Sequence, residues 1–121
     1  MITSLVAELT TQPLTPTIIQ SALPIVDIRT VGEWKDTGVV KNSILIEFYD
    51  ERGRYDLKGF LDTLNKKVDT SKEYGILCHS GSRSRVLSGF LSQELGHKVV
   101  DFSGGIDSAT KKYKIILEKY Q

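Results

Sequence analysis

The apolar residues fall into short clusters whose spacing alternates between two periods. Ile25 to Ile28 is a brief apolar run that predicts a buried strand. A second run spans Ser43 to Phe48 around Ile44, Leu45 and Ile46, a third spans Tyr74 to Cys78, and a fourth spans Lys98 to Phe102. Between them the period changes to that of a helix. Phe60, Leu61, Leu64 and Val68 share one face, as do Val86, Leu87, Phe90, Leu91 and Leu95. Ile106, Ala109, Tyr113, Ile116, Leu117 and Tyr120 predict an apolar stripe on a last helix. Thr15-Pro16 reads as a helix start, with Thr15 as N-cap, and Leu23-Pro24 disfavours continuation beyond Ala22. Gly96 is placed to end the helix before the fourth strand. Residues 1–14 are weakly patterned and fit either a short helix or an extended edge segment.

Strands that alternate with helices predict an α/β fold with a mostly parallel sheet of about five strands and helices on both faces. The length of 121 residues suits one domain, 1–121, and no repeat or linker divides it. In such sheets ligands gather beyond the carboxyl ends of the strands. Asp27-Ile28-Arg29 and Cys78 both occupy that position.

Composition narrows the function. Sixteen basic and 15 acidic residues give a net charge of +1, so no basic excess points to nucleic acid or to a membrane surface. No apolar run approaches the ~20 residues of a bilayer span, and Met1 to Leu9 does not read as a secretory signal; a cytoplasmic location is expected. One cysteine excludes an internal disulfide and a multi-thiolate metal site, and no cofactor is implied.

The chemistry concentrates at Cys78-His79-Ser80-Gly81-Ser82-Arg83-Ser84. A strand ends at Cys78 and a helix begins within about four residues, so the small residues between can curl around the sulfur and aim backbone N–H groups at it. The helix start adds partial positive charge. Both effects favour the thiolate of Cys78, and then an anion approaching it. Arg83 and Arg85 diverge by ~200° on a helix, so at most one of them faces the loop. A cysteine closing a strand is often only a small apolar residue; the ring of inward amides is what argues for chemistry here.

These residues resemble the active-site loop of the rhodanese (thiosulfate sulfurtransferase) family, Cys-x-x-Gly-x-Arg, with Cys78, Gly81 and Arg83 in order. Val26-Asp27-Ile28-Arg29 with Glu33-Trp34 and Gly38 is similar to the family's first motif, and Leu95-Gly96, Val99 to Asp101 and Gly104-Gly105-Ile106 to its last. The chain departs from the family at Val39-Val40, at Asn42-Ser43 and at Ala109, all away from the loop. Phosphatases and arsenate reductases of the same fold carry a loop one residue longer, whose arginine would fall at Ser84. The shorter cradle suits one added sulfur atom better than a tetrahedral phosphate.

The resemblance implies a sulfurtransferase with Cys78 as nucleophile. Its thiolate would take the sulfane sulfur of a thiosulfate-like anion and pass it to cyanide, a thiol or a protein acceptor. Amides from His79 to Ser84 would cradle the persulfide, with Ser80, Gly81 and Ser82 lining the site, and Arg83 would orient the donor or brace loop carbonyls. His79 reads as loop lining, with a general-base role as the lesser alternative. Asp27, Arg29 and Glu33 read as an ion-pair network supporting the first loop, with pocket residues as the lesser alternative, and Trp34 as core or pocket wall. His97 reads as a surface residue. Arg52, Arg54, Lys111, Lys112 and Lys114 read as solvated, with attraction of anions by the two arginines and docking of an acidic partner on the three lysines as the lesser alternatives. Two alternatives stand beside the enzyme: a persulfide carrier for a partner protein, and a phosphatase-like or arsenate-handling enzyme.

Overall fold

The computed structural model describes residues 8–121. Residues 1–7, half of the weakly patterned segment, lie outside the described residues. Five strands form one sheet in the order β1-β5-β4-β2-β3, and every pairing is parallel. They are β1 (Leu9–Gln12), β2 (Ile25–Asp27), β3 (Ile44–Leu45), β4 (Tyr74–Leu77) and β5 (Val99–Phe102). The helices are α1 (Pro16–Gln20), α2 (Val31–Thr37), α3 (Leu57–Lys67), α4 (Ser82–Leu95) and α5 (Gly105–Lys111). The weakly patterned segment supplies β1, which is exposed along its length at the sheet edge.

Alternation along the strands builds two cores. Val26, Ile28, Ile76, Cys78 and Val99 face α3 and α4, where they meet Phe60, Leu64, Leu87 and Leu91. Ile25, Leu77, Val100 and Phe102 point the other way, toward Ile106 and Ala109 of α5 and Ile18 and Ile19 of α1. Burial on both faces is why these strands read as continuous apolar runs. Thr15 caps α1 and Gly96 ends α4 at φ +71°, both as the sequence predicts.

Three expectations change. Of the run Ser43 to Phe48, only Ile44–Leu45 pairs as β3. On α4 the inward face is Ser84, Leu87, Ser88, Leu91 and Ser92, while Val86 is 75% and Leu95 43% exposed. The three serines sit one turn apart, and their small side chains leave room for the helix against the sheet; Leu87, Phe90 and Leu91 of the predicted face do pack inward, but the face is rotated toward the serines and away from Val86 and Leu95. The last helix stops at Lys111, with Lys114 left-handed at φ +57°. Beyond it the chain runs extended: Ile115 and Leu117 pack inward, Ile116 is 89% exposed, and Glu118 bridges to Val39. The 115–117 alternation has a period of two, so Tyr113, Ile116 and Tyr120 are not parts of a helical stripe.

Candidate active site

β4 lies at the centre of the sheet, and Cys78 follows its last residue. The chain then turns through His79 and Ser80 to Gly81, which N-caps α4 at φ +101°. A side chain at Gly81 would be strained there, and its Cβ would sit 2.9 Å from the backbone nitrogen of Gly104, the matching cap of α5. The left-handed turn brings the chain back over the sulfur. Gly81 N–H donates to Cys78 Sγ at 3.1 Å and Ser84 N–H at 3.4 Å. Of the amides expected to converge, these two reach the sulfur. Cys78 is fully buried, so the cradle is closed in this conformation.

Arg83 leaves the first turn of α4 toward α2. Its two terminal nitrogens donate to the two carboxylate oxygens of Glu33 at 2.7 and 2.8 Å. The hydrogen bonds of Arg83 therefore go to an acidic side chain rather than to loop carbonyls. The pair holds Glu33 at about 2, against an ordinary 4.5, chiefly through the Arg83 hydrogen bonds. It raises Arg83 in turn, with a further contribution from the charge of Cys78. Arg85, two residues further along α4, is exposed and takes no part in this pair; it lines a polar cavity with Ser80 and Ser82.

Glu33 also closes a capping box at the start of α2. Thr30 N–H donates to its Oε1 at 3.1 Å and Glu33 N–H donates to Thr30 Oγ1 at 3.2 Å. His79 stands half-exposed between two acids, its Nδ1 3.5 Å from Glu33 and its Nε2 3.3 Å from Asp107. His79 is thus a rim residue facing carboxylates.

The anticipated network around the first loop splits in two. Asp27 and Arg29 are both fully buried and joined at 2.8 Å; the Arg29 guanidinium also donates to Thr37 Oγ1 and to the Gly38 carbonyl. Glu33 belongs to the other half, with Arg83. Ser80 and Ser82 are exposed on the turn, and Ser84 is buried beneath it. Trp34 is buried and packs on Tyr120 at 5.6 Å. His97 is not a free surface residue: its Nδ1 lies 2.7 Å from Tyr74 Oη, and burial lowers its pKa. Arg54 pairs with Asp50 on an exposed turn, and Arg52, Lys111, Lys112 and Lys114 are exposed.

Sequence reasoning missed two supports of the loop. Ile106 N–H donates to the Cys78 carbonyl at 2.9 Å and Asp107 N–H to the His79 carbonyl at 3.0 Å, so α5 holds the start of the turn from below. Asp101, 2% exposed on β5, accepts from Ser84 Oγ at 2.7 Å. An acid at an inward position of the apolar run Val99 to Phe102 was the available signal. Among the described residues, no cluster of three or more metal-ligating side chains occurs, and no helix is long and apolar enough to cross a membrane.

A family model for the rhodanese-like domain matches residues 10–112. The chain belongs to the rhodanese-like domain family. An uncharacterized protein of Rickettsia prowazekii is 32% identical over 78 residues, covering 61% of this chain; the chain spans 60% of that relative's length. A rhodanese-like domain protein from Staphylococcus aureus superposes with a TM-score of 0.58 at 26% identity, covering 82% of this chain and 87% of its own. A rhodanese-related protein from Thermoplasma volcanium gives 0.56 at 31% identity, with 80% and 86% covered. A Mycobacterium tuberculosis protein at 19% identity shares the fold, with a TM-score of 0.65 over 81% of this chain and 80% of that one. The rhodanese-like family includes sulfurtransferases, and the position of Cys78 at the carboxyl end of the central strand is consistent with that membership.

Proposed function

We propose that the protein is a sulfurtransferase that carries sulfane sulfur as a persulfide on Cys78. The observation that supports this reading best is the pair of backbone N–H groups, from Gly81 and Ser84, directed at one sulfur atom at the carboxyl end of the central strand. Donors fixed by a turn and a helix start stabilise negative charge on that atom with little reorganisation.

The Cys78 thiolate attacks the outer sulfur of an anionic donor such as thiosulfate. A new S–S bond forms, the donor's S–S bond breaks, and sulfite leaves with the electron pair. An acceptor nucleophile, cyanide or a thiol, then attacks the outer sulfur of the persulfide, and Cys78 departs as thiolate. Neither step needs an oxidant or a metal. His79 stands at the rim among carboxylates, and the two displacement steps assign it no role as a base.

The closed cradle and the occupied Arg83 favour a second reading, a persulfide carrier that turns over small anions slowly and delivers its sulfur to a protein thiol. The loop of four residues between Cys78 and Arg83 supports sulfur over phosphoryl chemistry.

Intact-mass measurement after incubation with thiosulfate tests the proposal. One added sulfur on the wild-type protein, removed by cyanide and absent in folded Cys78→Ser, is the expected result. High occupancy with slow thiocyanate production favours the carrier. A wild-type protein that takes up no sulfur, or a Cys78→Ser variant with full turnover, overturns the proposal. Cys78-dependent hydrolysis of a phosphate ester would point to the phosphatase-like alternative instead.

A further inference from the structure

Asp101 sits on the α4 side of β5, flanked in the sheet by Thr11 of β1 and Ile76 of β4. A carboxylate almost wholly withdrawn from water needs a compensating donor. Ser84 Oγ supplies it at 2.7 Å. Ser84 is also one of the two residues whose N–H reaches Cys78 Sγ. Its hydroxyl lies 3.2 Å from the carbonyl of Gly81, which is the other. The Ser84 side chain therefore belongs to one donor residue of the sulfur cradle and meets the carbonyl of the other, and Asp101 anchors it from the sheet below.

We propose that Asp101 is a positioning residue for the chemistry of Cys78, setting the orientation of the Ser84 hydroxyl and, through it, the hold of the cradle on the sulfur. The inference rests on Cys78 being the reacting atom, and it adds a pH-sensitive element beneath it. The Ser84 hydroxyl has one proton and two acceptors. With Asp101 ionised, that proton points to Asp101, the shorter contact. With Asp101 protonated, its O–H donates to Ser84 Oγ, and the Ser84 proton turns to the Gly81 carbonyl. The negative charge beneath the cradle is then gone, and the turn is cross-tied at the start of α4.

The surroundings of Asp101 fit a group that changes state. Burial raises its pKa above the ordinary carboxylate value, while the Ser84 hydrogen bond and the charge of Arg85 pull it back. Arg85 on α4 is the charged side chain that acts on it; from β4, Cys78 faces the same layer of the core, and Ile76 and Val99 beside it are apolar. A polar cavity of about 540 Å³, lined in part by Ser80, Ser82, Arg85, Asp101 and Ser103, reaches it from solvent and gives protons a route.

The test measures Cys78 alkylation by iodoacetamide against pH, read by intact mass, in wild type, Asp101→Asn, Asp101→Ala and Ser84→Ala. This readout needs only the thiol, so it stands whether or not the protein transfers sulfur. Persulfide formation from thiosulfate is followed in parallel, and its complete absence in wild type would count against sulfur transfer alone. In the wild-type profile, a second ionisation on the acid side of that of the thiol is expected, and it is missing in Asp101→Asn. Asp101→Asn, which keeps an acceptor for Ser84, retains the wild-type rate near neutral pH within about threefold, while Asp101→Ala and Ser84→Ala each change it by about tenfold, as for a lost hydrogen bond to a charged group. Should Asp101→Ala fail to fold, the Asn profile decides. An Asn profile that keeps both ionisations, or Asn and Ala variants that change the rate equally, overturns the inference.

Discussion

Glu33 and Arg83 stand fifty residues apart in the chain and are joined by two parallel hydrogen bonds of 2.7 and 2.8 Å. The bond ties the first turn of α2 to the first turn of α4, across the mouth of the strands. Because the same carboxylate caps α2 through Thr30, the orientation of Arg83 is set by a helix that does not carry the cysteine. A bidentate pair of this kind is more directional than a lysine contact would be.

Replacing Glu33 by Gln frees the Arg83 guanidinium to meet an anionic donor. The expected result is a lower KM for thiosulfate, by about tenfold, with a smaller change in kcat. A raised or unchanged KM would mean that Arg83 serves the loop and not the donor.

The same pair gives the fold a pH signature. Glu33 is held at about 2 in the folded chain against 4.5 ordinarily. A depressed carboxylate contributes stability that is complete above 4.5 and is lost as pH falls through 2. The difference in urea midpoint between wild type and Glu33→Gln should therefore be steady at neutral pH and shrink from about pH 4.5 downward. A difference that persists undiminished at pH 2 would contradict it.

Gly105 has φ +55°, and a Cβ there would meet the backbone carbonyls of Cys78 and His79. Those carbonyls accept from Ile106 and Asp107, so the loop and α5 cannot separate without losing both bonds. Gly105→Ala is expected to destabilise the fold by about 1–3 kcal/mol and to lower reaction at Cys78 further than its thermal midpoint alone explains. Thermal unfolding together with the alkylation rate of the folded variant checks this.

Arg29 is fully buried on Asp27, Thr37 and Gly38. Arg29→Ala strands the Asp27 carboxylate in the interior, at a cost of about 3–5 kcal/mol by chemical denaturation. Arg29→Lys should recover little of it, because one ammonium cannot reach all three partners. Recovery to wild-type stability in the lysine variant would show that only the charge matters.

Much of this was legible in the residues, and the gaps have physical causes. Strands β2, β4 and β5 stood out because burial on both faces makes them largely apolar, with Asp27 and Asp101 as the acidic exceptions. The turn at Cys78 stood out because a glycine and serines between a strand and a helix permit the left-handed turn that brings backbone amides over the sulfur. Glu33 was noticed but assigned to Asp27 and Arg29; sequence order cannot reveal that α2 turns its acid toward α4 instead. The serine face of α4 was invisible to an argument from hydrophobicity, since Ser84, Ser88 and Ser92 are buried for their size. The tail after Lys111 misled because its apolar residues also fit a helical spacing, while Lys114 bends the chain away. Asp101 escaped notice because an acid within an apolar strand signals something unusual without naming its partner.

The central place of β4 has a consequence for how the thiol is exposed over the life of the chain. Its cradle draws on residues 78–84, its rim on Glu33 and its floor on Asp101 and α5, so no short fragment contains it. All of them meet only once β2, β4 and β5 lie side by side, pairings that join segments separated in sequence by whole helices. An unfolded chain presents an ordinary cysteine to solvent; completion of the sheet both withdraws that atom and surrounds it with donors. Reactivity at this one position therefore doubles as a gauge of whether folding has finished.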